Sequence, residues 1–91
     1  MATPLEQTLL SKYSQAKDAF ADGWKVGTFA WLQQNAIGMT VTLTMAENAL
    51  DSAWLAAKKN PSRLGDFDSA LNRWKHAHID AMQEFRNRSG Q

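Results

Sequence analysis

The chain has 91 residues, 44% of them apolar and 21% charged, with ten Lys and Arg against nine Asp and Glu and no cysteine. That profile fits one folded domain over residues 1–91 and excludes a disordered segment, and a net charge of +1 lacks the basic excess of a dedicated nucleic-acid binder. Without cysteine there is no disulfide framework, thiolate zinc site or cysteine nucleophile, and no apolar run reaches the ~18 residues that span a bilayer.

The apolar share is lopsided. Ala occurs 14 times and Leu 9 times, Val and Ile together only 4 times, so helix is favoured and an extensive sheet is not expected. The first element opens at Thr3-Pro4-Leu5-Glu6, where Thr3 can cap, Pro4 suits the first helical position and Glu6 completes a capping box. Leu5, Leu9, Tyr13, Ala16 and Phe20 then line one face of a helix over about 4–22. Gly23 is placed to end it in the left-handed conformation. Gly23 and Gly27 bracket a joint whose Trp24, Val26 and Phe29 are apolar enough to pack back onto the core.

The second helix is read as continuous over about 29–59. Leu32, Ala36, Met39, Leu43, Ala46, Leu50, Ala53 and Ala57 alternate spacings of four and three, which outweighs the short strand-like alternation of Thr40 to Thr44. Gly38 and three threonines make residues 38–44 poor helix formers, so packing must hold that turn. At ~1.5 Å per residue this helix outlasts the first by roughly 20 Å, an overhang that wants a partner. Asn60-Pro61-Ser62 stops it, with Asn60 or Ser62 capping a third helix over about 62–88. The third seam is Leu64, Phe67, Leu71, Trp74, His78, Ala81 and Phe85, and Arg86 and Arg88 suit its negative end, ahead of a Ser-Gly-Gln tail. These elements predict an all-α, antiparallel three-helix bundle with a long central helix, completed by dimerisation.

The central helix motivates the last clause. With Leu32 at zero on a wheel of about 100° per residue, Ile37, Val41, Met45 and Leu55 fall near 140°, 180°, 220° and 140°, opposite the seam. Either the flanking helices sandwich this second apolar face or another chain covers it. Ile37, Val41, Met45 and Leu55 are therefore the candidate interface, with Trp31 beside them, because tryptophan is enriched at binding hot spots. Trp24 shares that possibility, whereas Trp54 and Trp74 belong to the core.

Catalytic templates are missing: there is no phosphate-binding glycine loop, nucleophile elbow or paired carboxylates, so no enzyme is expected. His76, Asp80 and Glu84 share a helical face, but a single line of ligands converges poorly on a metal, and no metal or cofactor is expected. His78 reads as a core histidine beside Trp74. In residues 51–91 seven cations face five acids, too diluted a field for a phosphate-binding patch.

Trp24 is followed by Lys25, Val26 and Gly27, so the Trp-x-Gly turn of WXG100-type secreted proteins is absent. Asn60-Pro61 followed by a helix carrying Trp74 is similar to the proline-turn region of type III secretion needle-like subunits over the C-terminal third. The polar ending Arg86–Gln91 departs from the apolar end of those subunits, and no residue role is transferred. The sequence thus predicts a small non-enzymatic protein–protein interaction module of adaptor, chaperone or inhibitor type, homodimeric through the second face of its central helix. A secretion-associated or self-assembling subunit is the first alternative, and a weak nucleic-acid binder the second. A cytoplasmic location is the default, with export by a signal-less route left open.

Overall fold

The computed structural model describes residues 4–89, and all regular structure among them is helical: α1 (Pro4–Lys25), α2 (Thr28–Asn35), α3 (Ile37–Lys59), a 3-10 turn (Pro61–Arg63) and α4 (Leu64–Ser89). Thr3, the expected cap of α1, and the Gly90-Gln91 tail lie outside the described residues. Inside the first turn, Thr8 Oγ1 donates to the Pro4 carbonyl at 2.9 Å.

The first helix does not stop at Gly23. It runs on to Lys25, and Gly23 is there for space: a Cβ on it would stand 2.3 Å from Cε2 of Phe29. The left-handed residue is Gly27, at φ 90°. Just before it, Val26 N–H donates to Asp22 O at 2.9 Å and Gly27 N–H to Trp24 O at 3.2 Å, which satisfies terminal carbonyls of α1 as a glycine-ended helix requires.

The central helix is two helices. Ala36, at φ −152° and ψ 61°, is off helical geometry, and its N–H closes α2 on Leu32 O at 2.6 Å while its own carbonyl accepts from Met39 N–H at 2.9 Å to open α3. Asn35 favours the break, since its side chain donates to Trp31 O at 2.9 Å and so takes over a terminal carbonyl. The threonine-rich turn that follows is helical, so packing does hold it. Because the chain bends at Ala36, α3 has 23 residues against the 22 of α1, and the expected overhang disappears. At the second joint Asn60 Oδ1 accepts from Ser62 N–H at 3.2 Å and from Ser62 Oγ at 2.8 Å, which caps the 3-10 turn Pro61–Arg63 ahead of α4 and not the third helix itself.

The core is built from the expected seams. Leu43, Ala46, Leu50 and Ala57 of α3 are buried with Phe67, Leu71, Trp74 and Ala81 of α4, Leu9 and Ala16 of α1, and Phe29 and Leu32 of α2. Each large member contributes roughly 1.5–3 kcal/mol by leaving water. The most extensive backbone approach is between α3 and α4. Trp54 meets Phe67 at 4.9 Å near their shared turn, and Trp31 of α2 meets Phe85 at 5.3 Å at the far end. The molecule is a rod of 47 × 19 × 17 Å with a radius of gyration of 14.3 Å, more drawn out than the ~12 Å of a round domain this size.

Candidate functional site

Along α3 the inward seam leaves Ile37, Val41, Met45 and Leu55 on the other side, and all four are between 51% and 66% exposed. Of α1, Trp24 near its C-terminal end comes beside the first three. The first three follow one another at single-turn intervals. With Trp24, Gln33, Thr40 and Thr44 they line a surface groove of about 260 Å³. Trp24, 37% exposed, is held as a wall of this groove by edge contacts with Phe20 at 6.5 Å and Phe29 at 5.6 Å. Val26, on the joint, is 72% exposed.

The two remaining candidates stand apart. Leu55 lies ten residues beyond Met45, about 15 Å along the helix. Trp31 is half-buried: Phe85 packs edge-on against its ring at 5.3 Å, and the Arg88 guanidinium sits over it at 5.5 Å. Glu84 accepts from Arg88 at 3.0 Å, so this side of the rod is closed by its own side chains.

A second cluster escapes the sequence reading. Tyr13 Oη donates to Asp51 Oδ1 at 2.9 Å, and Lys17 Nζ bridges Asp51 Oδ2 at 3.0 Å and the Glu47 carboxylate. These contacts join α1 to α3. Glu47 is 4% exposed, and its Oε2 has no hydrogen-bond partner. Burial raises its pKa, which Lys17 only partly offsets. Burial would lower the pKa of Lys17, but hydrogen bonds to Glu47 and Asp51 carry it above its ordinary value. Burial, then the bond to Asp51, raises Tyr13. The sequence signal was two i,i+4 pairs, Tyr13/Lys17 and Glu47/Asp51, of complementary character on facing helices.

His78 stacks on Trp74 at 4.9 Å and lies edge-on to Phe29 at 6.1 Å, and burial lowers its pKa. Its Nδ1 and the Trp74 Nε1 have no hydrogen-bond partner. Among the described residues no three His, Asp or Glu side chains are placed to hold a metal ion, and no helix is long and apolar enough to cross a membrane. The groove offers apolar surface flanked by Thr40, Thr44 and Gln33. Comparison with family models, with curated proteins and with solved structures finds no match.

Proposed function

We propose that this chain is a small non-enzymatic protein–protein interaction module that self-associates through the outer face of α3. In this reading α1, α3 and α4 form an antiparallel three-helix bundle, α2 closes one end, and a second copy completes the assembly. The observation that carries it is the exposure of Ile37, Val41 and Met45 in one unbroken line beside the Trp24 groove. A line of this kind on a lone molecule invites association, and a homodimer is the simplest closed form. Ile37, Val41 and Met45 centre the contact, and Leu55 and the self-covered Trp31 stand outside it.

Thermal unfolding tests the reading, because the melting temperature of a dimer rises with protein concentration. The native chain is expected to show that rise, and Val41→Asp to abolish it while retaining helical circular dichroism. A Val41→Asp chain that loses its helicity would place Val41 in an internal core and overturn the reading.

A further inference from the structure

From Val26 to Ala46 the chain carries no Asp, Glu, Lys, Arg or His, an uncharged run of 21 residues in a chain that is 21% charged. The exposed line, and every residue of its groove except Trp24, fall inside it. A surface without charge has nothing to match on a charged partner. It also has nothing to repel when it meets its own copy, where a twofold axis sets each residue against itself or its mirror position. Ile37, Val41, Met45, Trp24 and Val26 present a few hundred Å², so a twofold contact, counted over both copies, comes near the ~1,000 Å² total at which specific association begins.

Gly38 supplies an independent observation. It is the second residue of α3, exposed and about 60° from Val41 on the wheel. Its φ is not positive, and a Cβ on it would meet no described atom within 4 Å. A missing side chain at that point permits another backbone to come near.

Resting on the self-association reading above, we propose that two copies pack α3 against α3 in antiparallel sense about a twofold axis at Val41. Ile37 of each copy then meets Met45 of the other, Val41 meets itself, and Gly38 lets the helices approach at the near end of the usual ~8–10 Å spacing. Val41 is the midpoint of Ile37 and Met45, so this arrangement pairs every member of the line.

The chain has no cysteine, so single cysteines report the register, since a disulfide needs Cα atoms within ~7 Å. Under a mild oxidant Val41→Cys alone is expected to give a covalent dimer. Ile37→Cys and Met45→Cys each stay uncrosslinked alone, and link when mixed. Gly38→Leu, with its helicity intact, is expected to weaken association by about tenfold or more. Self-linking of Ile37→Cys and of Met45→Cys would overturn the antiparallel register while leaving self-association standing. Absence of linking in every variant of a chain whose native mass is dimeric would place the contact elsewhere. A native mass of one chain would overturn this proposal together with the reading beneath it.

Discussion

Glu47 carries an acid into the interior with one counter-ion and one unpartnered oxygen. Removing Lys17 leaves that carboxylate buried alone, so Lys17→Met is expected to destabilise the chain by ~1–3 kcal/mol. Glu47→Gln keeps the shape and removes the buried charge. Because burial raises the Glu47 pKa, its ionised form costs more in the fold than in the unfolded chain, and this variant is expected to melt no lower than the native chain at neutral pH. Denaturant unfolding of both variants checks the pair. Tyr13 and Lys17 both have raised pKa values in the fold, above their ordinary values of 10.0 and 10.5. Their contribution is present below those values and lost as pH rises through the folded ones, so stability falls on the alkaline side. Lys17→Met removes the lysine share of that fall.

His78 has the opposite sign. Its pKa is lowered from 6.5 by burial, so its contribution is present above 6.5 and lost as pH falls through the folded value. His78→Phe fills the same place between Trp74 and Phe29 without a titrating group. The difference in stability between this variant and the native chain is expected to shift in favour of the variant as pH drops below about 6.5. A difference independent of pH would contradict the assignment. Gly23 is steric: Gly23→Ala puts a methyl into the Phe29 ring and is expected to cost ~1–3 kcal/mol by overpacking.

For the elements, the seams were legible because burial imposes a period. Leu43, Leu50, Phe67, Leu71 and Trp74 are buried where the four-and-three spacing put them. The break at Ala36 was not legible, since a local bend leaves that spacing unchanged on both sides and no proline marks it. The left-handed position was assigned to Gly23 and not to Gly27 for a related reason. Gly23 and Gly27 look alike in sequence, and only the return of Phe29 onto α1 distinguishes the one that gives space from the one that turns the chain. Gly27→Ala places a side chain at φ 90° and is expected to cost about 1 kcal/mol or more, read as a lower denaturation midpoint with unchanged slope. The Tyr13, Lys17, Glu47 and Asp51 cluster was hidden because pairing between helices depends on their register, which no single helix encodes. The outer line of Ile37, Val41 and Met45 was legible from the wheel, and within α3 its phase survives the bend.

At the scale of the whole molecule the bend removes one argument for a partner and leaves another. With α1 and α3 of matching length no bare end of helix calls for cover. The uncovered part is lateral: an uncharged, apolar flank on a rod only 19 × 17 Å across, over which no further helix lies among the described residues. Sedimentation equilibrium of the native chain at micromolar concentration tests this most directly. The account expects a mass of twice the 10.2 kDa of one chain. A mass of one chain, unchanged up to millimolar concentration, would contradict it.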